Sequence, residues 1–100
     1  MDGVLELNNI RNGVTELGKM YGAERIYLFG SYARGDAKSD SDIDFRIDKG
    51  NIRGLFKLAG LQMALEKKFG RKVDLLTTDS LDQKFLKSIS DGEILLYDNK

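Results

Sequence analysis

The chain has 100 residues, 41% of them apolar and 9% aromatic, enough to close one small hydrophobic core but not two. Its 16 basic and 16 acidic residues cancel, which removes any general electrostatic pull toward nucleic acid or an anionic membrane. Cys and His are absent, which excludes thiol nucleophiles, disulfide scaffolds, the usual zinc sites and imidazole acid–base chemistry; carboxylates, hydroxyls, cations and a hard metal such as Mg²⁺ are left.

Leu7, Ile10, Val14, Leu17 and Tyr21 recur at helical spacing and predict an amphipathic helix over 5–21. Arg25 to Phe29 is short and β-prone and stops at Gly30, so it reads as a strand that opens directly into a loop. Residues 31–34 allow only a helical turn before a second strand at 43–47, so the first two strands are expected to be antiparallel. Between Asn51 and Gly70 the pattern is helical with two apolar stripes. One comprises Ile52, Leu55, Phe56, Ala59 and Met63; the other comprises Leu58, Leu61, Leu65 and Phe69. Such a helix either lies between the sheet and another helix or turns one stripe toward a partner protein. A third strand at 72–77, a helix capped by Ser80 or Asp82 and running to about Ser90, and a last strand at 93–97 complete the order α-β-α-β-α-β-α-β. The expectation is a single α/β (α+β) domain over 1–100, with a mixed β-sheet and helices packed mainly on one face. The apolar runs are short and no basic-then-apolar leader opens the chain, so a cytoplasmic protein is expected.

The chemistry is concentrated in residues 30–45, Gly-Ser-Tyr-Ala-Arg-Gly-Asp-Ala-Lys-Ser-Asp-Ser-Asp-Ile-Asp-Phe. At Gly30-Ser31 a strand ends and a helical turn begins, where free amides and a bare Cα admit a phosphate and the Ser hydroxyl adds a hydrogen bond. Asp42 and Asp44 are two residues apart at the start of a strand, so both carboxylates leave the same face and can converge on one cation, while Ile43, Phe45 and Ile47 face the core. Taken alone, this Asp-x-Asp is also compatible with an exposed polar turn. An EF-hand starting at Asp40 fails, because Phe45 stands where a Gly is needed and Asn51 where a Glu is needed. No Gly-Lys-Ser/Thr sequence supports a Walker loop. Asp74 is a charge inside an apolar strand, costly unless it is paired, metal-bound or at an exposed edge. Arg46 falls on the face of Asp42 and Asp44, where an ion pair with a catalytic carboxylate and a substrate contact are both open to it.

Gly-Ser, Ala-Arg-Gly and Ser-Asp-x-Asp at this spacing, followed by Val73-Asp74-Leu75, resemble the signature of the polymerase β-type nucleotidyltransferases, and specifically of the minimal nucleotidyltransferase antitoxins. The resemblance covers nearly the whole chain. It implies that Gly30 and Ser31 hold a triphosphate, that Asp42, Asp44 and Asp74 are catalytic and ligate Mg²⁺, two ions in all, and that ATP is the substrate. Arg34 would pair with a phosphate or clamp an Asp of its own loop. The chain has no room for the extra helices that shape a small-molecule acceptor pocket. A partner-supplied acceptor is expected, and the resemblance implies that it is a tyrosine of a HEPN-domain toxin encoded next door, in a hetero-oligomer or with the antitoxin as a homodimer. Membrane and direct nucleic-acid binding are not expected. Two alternatives keep the fold and change the role: a nucleotide-binding antitoxin that neutralises by contact alone, and one subunit of a two-chain small-molecule transferase.

Overall fold

A computed structural model describes residues 3–100; Met1 and Asp2, which the expected domain includes, lie outside the described residues. The elements, in chain order, are α1 (Leu7–Tyr21), β1 (Arg25–Phe29), α2 (Ser31–Arg34), β2 (Ile43–Asp48), α3 (Gly54–Phe69), β3 (Val73–Thr77), a 3₁₀ turn (Thr78–Ser80), α4 (Gln83–Ser90) and β4 (Ile94–Asp98). The predicted order holds, strand ends agree within a residue, and only the 3₁₀ turn was not foreseen.

The four strands form one sheet in the order β3-β2-β1-β4. β1 pairs antiparallel with both β2 and β4, and β2 pairs parallel with β3, so the sheet is mixed and the first two strands are antiparallel as expected. A parallel pair needs a crossover, and α3 supplies it.

Alternation along the strands sorts the two sheet faces. Ile26, Leu28, Ile43, Phe45, Ile47 and Val73 are fully buried and meet α1 and α3 on one face. Gly13 in α1 leaves space for the Phe69 ring, where a Cβ would lie 2.8 Å from Cζ, and this lets α1 and α3 approach closely. The opposite face carries Phe29, Asp44, Arg46 and Tyr27, with α4 set against it. α4 is held loosely: none of its residues is buried, and its N-terminus is fixed by Asp82, whose Oδ1 accepts from Phe85 N at 2.7 Å.

Two details of the 51–70 segment differ from expectation. The helix begins at Gly54, because Asn51 N bonds Gly22 O and Ile52 N bonds Lys49 O in a turn that drops Ile52 into the core ahead of the helix. Ile52 therefore does not belong to the first stripe. Leu61, Leu65 and Phe69 are buried against the sheet and α1, whereas Leu55, Phe56 and Met63 are 82%, 96% and 68% exposed. No helix of the described chain covers them, so the reading of α3 as sandwiched between the sheet and another helix is corrected.

Candidate active site

β1 ends at Phe29, and Gly30 turns the chain with φ 76° and ψ −153°, a backbone that L side chains rarely adopt. Gly30 O then accepts from Ala33 N and Arg34 N, so the amides at the start of α2 precede the first intrahelical bond and point out of the turn. The turn is braced from below: buried Tyr32 accepts a 2.7 Å hydrogen bond from Arg71 Nη1 at its hydroxyl.

Asp44 presses directly on this turn. Phe29 and Asp44 are register partners, and a Cβ at Gly30 would lie 2.1 Å from Asp44 Oδ2. Gly30 is therefore required twice, by its backbone conformation and by the carboxylate packed on its Cα. On the other side of β2, Asp44 is the register partner of Asp74 across the parallel β2–β3 pair. Asp42 precedes β2 by one residue and is half-buried like Asp44, while Asp74 is exposed on β3, which is an edge strand. The structure thus brings Gly30, Asp44 and Asp74 side by side, with Asp42 close enough to act on Asp44 through its charge.

The surroundings of Asp44 show in its acidity: its carboxyl is pushed up to about 6. Burial is the first cause; a hydrogen bond with Asp74 and the negative charges of Asp74 and Asp42 add to it, while Arg34 pulls the other way. None of the three carboxylates forms an ion pair within the described residues. No three Asp, Glu, His or Cys side chains of the described residues are drawn together as a ready cage. Mg²⁺ takes a few carboxylates together with substrate phosphates instead of a closed protein cage. An all-oxygen donor set beside an open turn, with Asp44 made less acidic by burial and by its acidic neighbours, fits that ion.

Arg34 is exposed and makes a 3.4 Å contact from Nε to Asp36 Oδ2, so in this structure it clamps an Asp of its own loop. It also lines a recess of about 310 Å³ with Phe29, Gly30, Phe85, Ser88 and Ile89, between the turn and α4.

Arg46 does not bond the carboxylates of the site. Its Nε donates to Glu93 Oε2 at 3.0 Å and its Nη2 to Glu93 Oε1, a bidentate pair. Nη1 donates to Thr78 Oγ1 at 2.7 Å, and the guanidinium lies 3.9 Å from the Tyr27 ring centroid. Thr78 in turn donates to Asp48 Oδ1 at 2.6 Å. Arg46 thereby ties β2 to both ends of the segment carrying α4. Glu93 was missed in the sequence because nothing in its local pattern names a partner on β2.

A family pattern described as polymerase beta, nucleotidyltransferase matches residues 13–100. The chain belongs to this family. Its members transfer a nucleotidyl group, so the chain is an enzyme of the nucleotidyltransferase class with a nucleotide substrate. It is similar to the protein adenylyltransferase MntA of Thermococcus cleftensis, 40% identical over 74 residues, which are 74% of this chain and 75% of that one. A solved minimal nucleotidyltransferase structure is 34% identical, with a TM-score of 0.78, over 88% of this chain and 90% of that one. The fold is shared with the structure of a tri-AMPylated HEPN toxin in complex with MNT antitoxin from Shewanella oneidensis, at a TM-score of 0.71 and 20% identity, over 92% of this chain and 72% of that one. Among the described residues no helix is long and apolar enough to cross a membrane.

Proposed function

We propose that the chain is a cytoplasmic antitoxin that transfers AMP from ATP to a tyrosine hydroxyl of a HEPN toxin. The observation that carries the reading is Asp44 seated between the Gly30 turn and Asp74, which juxtaposes a phosphate cradle and a carboxylate pair on one open sheet face. Kinship with a protein adenylyltransferase and a fold shared with an antitoxin bound to its AMPylated toxin support the choice of acceptor.

In this reading the Gly30 and Ser31 amides and the Ser31 hydroxyl hold the triphosphate, with Arg34 turning from Asp36 to a phosphate oxygen. Asp42, Asp44 and Asp74 hold two Mg²⁺ ions, which when bound offset the charge of the triphosphate and of the attacking and leaving oxygens. The tyrosine oxygen attacks the α-phosphorus in line, the bond from that phosphorus to the bridging oxygen breaks, and pyrophosphate departs. Asp74, exposed at the sheet edge, accepts the tyrosine proton. A phenol is about six pKa units less acidic than a carboxyl group, so this proton would leave as the new P–O bond forms, with bound Mg²⁺ lowering the cost, and His is not required.

The test is to incubate the chain with Mg-ATP and the HEPN toxin encoded beside it, and to record the intact masses of both proteins next to an Asp42→Asn/Asp44→Asn control. Gain of whole AMP units by the toxin with the unaltered chain alone supports the proposal. A toxin that is bound and silenced without gaining mass overturns it in favour of inhibition by contact.

A further inference from the structure

Leu55, Phe56, Ala59 and Met63 lie within one arc of about 100° on α3, since each residue advances about 100° around a helix. All four are exposed, and Phe56 at 96% is about as solvent-accessible as a side chain can be. An apolar stripe left bare on an otherwise well-packed helix marks an interaction surface. Arg53, three residues before Phe56, and Lys67, four after Met63, border it; both are exposed, and neither has an acidic partner among the described residues.

The position of α3 gives the stripe its meaning. Gln62 Nε2 donates to Val73 O at 2.9 Å and Glu66 Oε2 accepts from Val73 N at 3.0 Å, so α3 runs along the free edge of β3. By strand alternation Val73 faces α3 and Asp74 faces the other side of the sheet, so the stripe and Asp74 lie on either side of the same edge strand. A partner lying on the stripe therefore reaches the exposed carboxylate by passing around the β3 edge.

We propose that this face of α3 docks the acceptor protein, taking an amphipathic helix with an acidic flank, and that docking there delivers the acceptor hydroxyl over the β3 edge to Asp74. The inference rests on the antitoxin reading and adds the docking surface to it. The bare cations select an acidic occupant and disfavour a second copy in an antiparallel α3–α3 pair, where like flanks meet and Arg53 would face Lys67 of the second copy.

The experiment compares the unaltered chain with Phe56→Glu and with Arg53→Glu/Lys67→Glu, each in the Asp42→Asn/Asp44→Asn background so that binding is read without transfer. Each is titrated into the HEPN toxin by calorimetry at two salt concentrations. Phe56→Glu is expected to weaken binding by roughly 30-fold or more, the scale of a hot-spot residue. The Arg53/Lys67 double variant is expected to weaken it and flatten its salt dependence. In the otherwise unaltered chain, Phe56→Glu is expected to leave binding of a fluorescent ATP analogue unchanged, which shows that the fold is intact. Equal toxin affinity for Phe56→Glu and its parent overturns the docking surface and leaves the antitoxin reading standing; failure of the parent to bind the toxin overturns both. Concentration-dependent dimerisation in the ultracentrifuge that Phe56→Glu abolishes assigns the face to a second copy instead. Sedimentation with phosphatidylglycerol vesicles that Phe56→Glu abolishes assigns it to a membrane, and either result overturns the proposal.

Discussion

Asp44 and Asp74 come from strands joined by the α3 crossover, yet they sit opposite each other in the parallel ladder and share a hydrogen bond between carboxyls. Such a bond needs one proton, and Asp44 keeps it to about pH 6. With its folded-state value raised above the unfolded one, the native state binds more protons than the unfolded state between the two values. This contribution to stability is therefore full at low pH and is lost as pH rises through 6. Without Mg²⁺, thermal stability is expected to increase from pH 7.5 to pH 5 and the Asp44→Asn variant to lose most of that dependence, as read by melting curves. With Mg-ATP, transfer is expected to fall below about pH 6 as the proton competes with the cation.

Asp74→Asn removes the exposed member of the pair. Because this side chain is in water, the melting temperature is expected to stay within a few degrees of the unaltered value. AMP transfer is expected to drop by roughly 100-fold or more, the scale of a lost general base. A variant that melts normally and transfers at the unaltered rate would remove Asp74 from the chemistry.

Gly30→Ala places a methyl group against Asp44 Oδ2 on a backbone with φ 76°. That backbone, with ψ −153°, is one that essentially only Gly adopts, and holding Ala there costs about 1–3 kcal/mol. The displaced carboxylate is expected to lower affinity for the nucleotide as well. Denaturant titration and binding of an ATP analogue are expected to change together, whereas Gly35→Ala, where a Cβ meets nothing, is expected to show only the backbone cost.

Arg46 and Glu93 are both nearly buried, with side chains 9% and 8% exposed. Removing one partner strands the other charge, so Arg46→Met and Glu93→Leu are each expected to cost about 3–5 kcal/mol, while the double variant recovers most of that loss. The recovery is the informative result, because purely additive losses in a denaturant-melt cycle would mean that the two side chains act separately.

The features legible in the sequence are those set by neighbours in the chain. The Phe29–Gly30 strand stop, the alternation of Asp42 and Asp44 with Ile43 and Phe45, and the Asp82 cap each follow from geometry within a few residues. Where a side chain finds its partner far along the chain, local pattern is silent. The sequence leaves Arg46 with two candidate roles, and Glu93, 47 residues away, gives it a third. Ile52 has the spacing of a helix residue, yet the turn at Lys49 to Asn51 sends it into the core. The two stripes of α3 are equally apolar in sequence; which of them the sheet claims depends on the side that β3 occupies, a fact of topology and not of composition.

The parallel pairing of β2 with β3 also bears on when during folding the chemistry becomes possible. Antiparallel β1 and β2 close over a short connection, but Asp74 reaches Asp44 only after the 24 residues from Lys49 to Lys72 have formed their crossover and laid β3 in register. A partly folded chain can present the Gly30 turn and Asp44 without being able to complete the carboxylate pair. Catalytic competence is thus coupled to a non-local pairing, and a newly made chain stays chemically silent until β3 has paired with β2.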